Sequence, residues 1–408
     1  MRYFQHLKTH GKLWLFVLLF LFSLYSTFLY LTVGQRGYDN VLVVLSQQFL
    51  NHHISLPIYN LPVRDISSYF NNYYVYFGPL SSILMMPFVL VFGQAFPEVS
   101  IGVFSLVVSF IAAYFIAKKF LFKTVDALWL ALFFVFSTVL FSSSVINITA
   151  YQVEALGVPF ILLAIWAYLS KRNPFIIGVF IALAVMTRFT LLLSVIFFMA
   201  EFLQRRVSLK YLVLLIIPVL LAVGILGAYN NRRFHSFFES GYSYNISKSD
   251  GPIGGNFKYG QESIMHIPAN LYSLLIMSPE PLLKDNGGGM FLKFPYLKAN
   301  PWGMAIWYTS PLFLLLLFRF KKGKYTLSAA ITGIFLAIPV FVWYSIGYAQ
   351  FGYRYALDFL PFLFLLLLMS LSPKLSKYAI ALIVIGVFFN CVYSDSMWEL
   401  YPLFNIFH

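Results

Sequence analysis

The chain has 408 residues, 60% of them hydrophobic, 20% aromatic and only 10% charged, with a formal net charge of +14. A soluble domain carries about 25% charged residues, so the composition excludes a soluble enzyme and predicts an all-α polytopic membrane protein. The positive charge is scattered in clusters that flank apolar runs, which excludes a basic nucleic-acid-binding domain. The lone Cys391 excludes a disulfide framework and a cysteine-based zinc site.

In chain order, apolar runs lie near 13–33, 99–117, 127–141, 153–169, 174–187, 189–203, 211–229, 302–318, 325–347, 355–371 and 378–394. They predict about 11 transmembrane helices, several shorter than the roughly 20 residues an untilted crossing needs. The first run, Leu13–Val33, has no small-residue cleavage site after it and is read as a retained span. Pro79–Gly93 is also apolar but short, and reads as a re-entrant or half-buried juxtamembrane helix in the first external loop.

This arrangement gathers Arg2, Lys8/Lys12, Lys118/Lys119/Lys123, Lys171/Arg172, Arg205/Arg206/Lys210, Arg319/Lys321/Lys322/Lys324 and Lys374/Lys377 on one side. Of the 14 acids, all but Asp126 and Glu201 then fall on the other. Positive charge marks the cytoplasmic side, so the N-terminus is expected inside and the C-terminus outside. The whole chain, 1–408, reads as one integral membrane domain of the cell (plasma or inner) membrane. It has two large external loops, 34–98 and 230–301.

Polar residues from distant parts of the chain converge on that outer face. Asp39 and Asp65 lie in the first loop, and Glu154 near the start of the run at 153. Arg188 stands in MTRFT between two short runs, and Arg232, Arg233 and Glu239 in NNRRFHSFFESGY. Arg354, beside Tyr353, is four residues before Asp358, a spacing that suits an intrahelical ion pair. Tyr74, in YFNNYYVYF, belongs to an aromatic segment that suits either a membrane interface or sugar stacking. Carboxylates suit activation of a hydroxyl nucleophile, and arginines suit bidentate binding of phosphate. Asp39 and Asp65 are therefore the candidate catalytic acids. Glu154, Arg188, Arg232, Arg233, Glu239, Tyr353, Arg354 and Tyr74 are the candidate substrate-binding residues. Each has a structural alternative: Asp39 and Asp65 as helix or turn caps, Glu154 as a partner of a helix dipole, Arg188 as a snorkelling side chain. His52–His53 points in two directions on a helix and makes a poor metal pair, and no metal site is expected.

In layout and short motifs the chain resembles the GT-C superfamily of membrane glycosyltransferases, which includes protein mannosyltransferases and the aminoarabinose transferases of lipid A. Asp39 in GYDN matches the place of the family's catalytic acid, after the first span. The stretch from Asp65 through FNNYYVYFGPL resembles the later part of the same loop, and Glu154 sits where a second external acid is common. MTRFT resembles the family's turn between half-length spans. The chain departs from the aminoarabinose transferases in three ways. Asn40 replaces the second acid of their pair, Phe77-Gly78 replaces a lysine, and they have a C-terminal periplasmic domain that has no counterpart here.

The resemblance implies an inverting transfer of a sugar from a polyprenyl-phosphate donor to a hydroxyl of a glycan, lipid or protein at the external membrane face. Asp39 would be the general base, Asp65 its reserve, and Arg188, Arg232, Arg233 and Arg354 the partners of the lipid phosphate. No cofactor is implied, a divalent cation being the exception left open. The expected partners are the donor, the acceptor and membrane lipid, without nucleic acid. The rival reading is a lipid flippase or solute transporter, and a non-catalytic assembly subunit is the third.

Overall fold

A computed structural model of the chain describes residues 2–32, 40–57, 65–246, 254–285 and 289–399. It is mostly helical, at 69%, and its sheet is confined to two hairpins among the described residues. Five helices are long and apolar enough to cross a membrane: Gly11–Thr32 of α1 (Arg2–Thr32), α4 (Ser100–Lys119), α7 (Thr149–Leu169), α10 (Leu209–Phe234) and Lys377–Trp398, which contains α16 (Lys377–Tyr393). A sixth is α5 (Thr124–Phe136) with α6 (Val139–Val145), if that pair, bent by 56°, is counted as one span.

The eleven expected runs all contain helix, but the rest fall short of a bilayer. They are α8 (Pro174–Thr187), α9 (Val195–Gln204), α14 (Thr326–Phe341), α15 (Leu360–Ser370) and the pieces α12 (Ile306–Thr309) and α13 (Leu314–Arg319). Arg188 stops α8: its backbone turns extended, and a 3-10 turn, Phe189–Ser194, leads into α9. The α5–α6 bend has an equally local cause. Thr138 leaves helical geometry and its hydroxyl oxygen caps the Leu140 N–H at 3.2 Å.

The most enclosed span is α7, with 83% of its apolar window buried against 33% for α10. It packs on α4 and α8, and α10 packs on α8 in turn. The core beside it is aromatic, with Trp129, Phe133, Phe134, Phe197 and Phe362 fully buried. At the basic end, Lys12 donates to the Leu375 carbonyl at 3.0 Å and pairs with Asp126 at 3.5 Å. Glu201 accepts hydroxyls from Tyr168 and Ser328, which ties α7, α9 and α14 together.

The first long loop docks on the opposite end. It holds α2 (Val41–Leu50), the hairpin β1 (Ile66–Tyr69) and β2 (Asn72–Val75), and α3 (Leu80–Phe92). Phe70 and Asn71 both have positive φ, as a tight two-residue hairpin turn requires. Buried Glu98 accepts the Leu42 N–H at 2.8 Å and the Thr149 hydroxyl at 2.7 Å, joining the starts of α2 and α7. The expected juxtamembrane helix at Pro79–Gly93 is α3, which packs on α2 and keeps Leu90 and Val91 exposed. The second loop carries α11 (Ile267–Leu275) and a hairpin, β3 (Glu280–Asp285) with β4 (Met290–Lys298).

Gly78 fixes how closely the first loop meets α8, because a Cβ there would lie 2.0 Å from the Met186 carbonyl oxygen. Backbone cannot move aside cheaply, so Gly78→Ala is expected to cost about 1–3 kcal/mol. A Cβ on Gly224 meets nothing within 4 Å, so Gly224→Ala should be neutral or slightly stabilising. Thermal unfolding of both variants in detergent checks this, and equal midpoints would contradict the contact.

Candidate functional site

A cavity of about 690 Å³ opens at the end of the bundle opposite the basic clusters. Its walls come from the first loop, α7, the end of α8, α10, the second loop and α14 with the segment after it. Its volume falls within the roughly 300–1,000 Å³ of small-molecule sites.

The floor is a chain of buried ion pairs. Arg354 Nε lies 2.9 Å from Glu154 Oε2, and Arg188 Nη1 lies 2.8 Å from Asp358 Oδ1 and 3.9 Å from Glu154 Oε1. Thr190 donates to Asp358 Oδ2 at 2.8 Å, and Gln350 Oε1 accepts from Arg354 at 3.0 Å. Arg354 also lies over the rings of Tyr151 and Tyr355, each 4.7 Å away. The spacing of Arg354 and Asp358 suggested that they pair with each other. The structure corrects this: the segment Arg354–Asp358 is a 3-10 turn, and its two ends reach different partners, Glu154 and Arg188. Charge is balanced across the two arginines and two acids, so these arginines do not act as free cations.

Asp65 stands apart from that network. The loop places it, with φ of 62°, beneath the start of α7. There Oδ1 accepts the Tyr76 hydroxyl at 2.5 Å and Oδ2 accepts the Ala150 N–H at 3.2 Å. Asp65 does cap a helix start, but not in its own loop as its position in PVRDIS suggests: the N–H it accepts opens α7, far along the chain. The same carboxyl lines the cavity. Burial raises its pKa above the ordinary 3.8, against the hydrogen bond from Tyr76 and the charge of Arg354, which lower it. Burial, and then the Asp65 charge, push the Tyr76 phenol well above its usual range.

Arg233 is the third arginine in the lining, and it is 2% exposed. It donates to the Val75 carbonyl and, at 2.7 Å, to Asn230 Oδ1. It packs on the rings of Tyr229 and Phe234, and its Nε has no hydrogen-bond partner among the described residues. It makes no ion pair with a carboxylate among the described residues.

Of the expected site residues, the structure gathers Asp65, Glu154, Arg188, Arg233, Glu239 and Arg354 around the cavity. Glu239 also accepts the Gly241 N–H at 2.7 Å in its own turn. Three others lie elsewhere. Arg232 is exposed, about 100° around α10 from the buried Arg233. Tyr74 packs edge-on against Phe234, and Tyr353 is buried with its hydroxyl on Asn270 Oδ1. Asp39 lies outside the described residues. Tyr76, Tyr242, Trp343, Tyr344 and Thr190 also line the cavity or its floor and were not singled out from the sequence. A sequence rich in tyrosine gave no signal to separate these from interfacial aromatics. Among the described residues no group of three or more His, Cys, Asp or Glu could hold a metal ion.

No family model, curated protein or solved structure matches the chain.

Two measurements follow from this geometry. Removing one member of the buried network strands its partner's charge, so Glu154→Gln and Arg354→Gln should each cost about 3–5 kcal/mol. The double variant should recover part of that loss, and strict additivity in unfolding experiments would refute the coupling. For Asp65 the raised pKa means that the folded state holds a proton the unfolded state has released, so stability from this group falls as pH rises above 3.8. Asp65→Asn should therefore gain on wild type in melting temperature as pH rises above 3.8, and a difference that does not move with pH would contradict the shift.

Proposed function

We propose that this protein is a GT-C-like inverting glycosyltransferase. It moves a sugar from a polyprenyl-phosphate donor to a hydroxyl acceptor at the external face of the cell membrane. The observation that carries the reading is the joint presence, in one cavity at the end opposite the basic clusters, of a carboxyl set apart from the ion-pair floor and an arginine that pairs with no carboxylate among the described residues. The aromatic groups Tyr242, Trp343 and Tyr344 supply surfaces on which a sugar ring stacks.

In the reaction, the acceptor oxygen attacks the anomeric carbon and the bond from that carbon to the phosphate oxygen breaks. Asp65 takes the hydroxyl proton, and the lipid phosphate leaves with the bonding electron pair. Burial of Asp65 raises its proton affinity above that of an ordinary carboxylate, which makes it a stronger base. Its second lone pairs remain available beside the bonds from Tyr76 and Ala150. The buried network of Glu154, Arg188, Arg354 and Asp358 holds the floor rigid, and Glu154 presents its oxygens to sugar hydroxyls. The sequence pattern favours Asp39 as the base, which makes it the direct rival of Asp65. The remaining short apolar helices would complete the crossings of such a fold around the five long ones.

Purified protein should transfer radiolabelled sugar from a polyprenyl-phosphate donor to a membrane-extract acceptor. Asp65→Asn should lower the rate by about 10²-fold or more with the fold intact, while Asp39→Asn should retain most of it. Loss confined to Asp39→Asn would move the base to that residue. Wild-type protein that turns over no donor but carries solute or lipid across vesicles would replace the transferase by a transporter.

A further inference from the structure

The second long loop carries a surface that takes no part in the cavity. In the β3–β4 hairpin Leu283 pairs with Leu292, and Lys284 with Phe291. Side chains alternate between the faces of a strand, so Met290, Leu292 and Phe294 share one face of β4, joined by Leu283 from β3. Met290, Leu292 and Phe294 are 64%, 59% and 58% exposed, and Leu283 is exposed as well. The exposed ring of Tyr296 lies 5.6 Å from that of Phe294. Lys284 and Lys293 stand on the other face with Phe291, and all three are exposed. A contiguous apolar face of this kind marks a contact surface.

The place where the hairpin is moored points to what covers it. α16 starts at the basic end, and Tyr393 lies about 24 Å along it, within the roughly 30 Å of a hydrocarbon core. Helical side chains lean toward the helix N-terminus, so the Tyr393 hydroxyl stands no farther out than that. It donates to the Pro295 carbonyl at 3.1 Å. At the root of the hairpin the Ala299 N–H donates to Ser396 Oγ at 2.8 Å. Between Ala299 and Pro295, therefore, β4 descends along α16 to the level of the bilayer. Farther down, α16 exposes Ile385 and Phe388, and Phe388 stacks on Phe22 of α1. The apolar face of the hairpin thus continues a surface already turned to lipid.

We infer that the β3–β4 hairpin is a membrane-interface contact in the leaflet opposite the basic clusters. Its apolar face lies among the upper acyl chains, and Lys284 and Lys293 meet anionic headgroups. The hairpin stops at that layer because its outer edges carry unpaired backbone groups, which hydrocarbon does not tolerate. Aromatic rings favour the same layer, and lysines near it are drawn to lipid phosphates. Lys293 lies 4.0 Å from Glu399 with both side chains half exposed, a pairing weak enough to yield to a phosphate. This contact does not depend on sugar transfer.

A depth measurement tests it. Full-length Leu292→Cys and Lys284→Cys are labelled with a nitrobenzoxadiazole maleimide and reconstituted in vesicles of phosphatidylcholine and phosphatidylglycerol. Cys391 is buried, so wild type treated alike should stay unlabelled. Both positions are exposed, and melting temperatures equal to wild type would show the fold intact. Lipid spin-labelled near its headgroup should quench the probe at 292 about 2-fold or more beyond iodide in the water, as an interfacial position requires. The probe at 284 should show the reverse order. Lys293→Glu added to Leu292→Cys should lower the lipid quenching in phosphatidylglycerol-containing vesicles and leave it unchanged in phosphatidylcholine alone. Iodide reaching both probes equally, with no quenching by lipid, would overturn the contact. Quenching that ignores Lys293→Glu would remove the anionic headgroup from the assignment. A probe at 292 shielded from iodide in native membranes but open to it in pure lipid would replace the bilayer by a protein partner.

Discussion

Glu154 holds the site together, because it is one carboxylate shared by two arginines from separate segments. It belongs to the most enclosed helix, α7, and meets Arg354 from the turn after α14 and Arg188 from the end of α8. Each of these charges is costly to bury alone. Together with Asp358 they cancel, and one of the pairs is made where α8 stops. Arg188 has extended backbone directly after α8 ends at Thr187, reaches Asp358 at 2.8 Å and lines the cavity.

A second constraint acts at the start of α7. Its first N–H groups lack partners within the helix, and two acids from the first loop region meet them or their neighbours. Asp65 accepts the Ala150 N–H, and Glu98 accepts the Thr149 hydroxyl together with the Leu42 N–H of α2. Capping and site-building are thus one act. The carboxyl that closes α7 is held under the cavity by the same bond, and burial there raises its proton affinity. A structural role and a chemical role for Asp65 are compatible, because each carboxylate oxygen accepts more than one hydrogen bond.

What the sequence disclosed follows from which forces act locally. Apolar runs and basic clusters mark the helices and one end of the bundle, since hydrophobicity and charge are read residue by residue. The run at 174–187 coincides with α8, whereas the run at 355–371 overstates its helix, which has 11 residues because Arg354–Asp358 is a 3-10 turn. The residue types at the site were legible, and Asp65, Glu154, Arg188, Arg233 and Arg354 do line one cavity. Their pairing was not. Local spacing joins Arg354 to Asp358, while the fold joins Arg354 to Glu154, two hundred residues away. Nor could the sequence tell Arg232 from Arg233. They are neighbours with identical chemistry, and only the packing of α10 on the first loop exposes one and buries the other.

That last pair shows how function is divided between the arginines. Four arginines at one face suggest four equivalent phosphate ligands, but burial gives them different tasks. Arg188 and Arg354 are spent on acids, and Arg232 is exposed. Arg233 is enclosed by the rings of Tyr229 and Phe234 and by the Val75 carbonyl, groups that tolerate a cation without discharging it. A cation stabilised in this way keeps most of its attraction for an incoming anion, since neither a π-face nor a carbonyl carries net charge. An arginine paired with a carboxylate would have to exchange one anion for another, at little gain. The chain therefore keeps a floor of balanced charge apart from a single buried arginine held by aromatic rings.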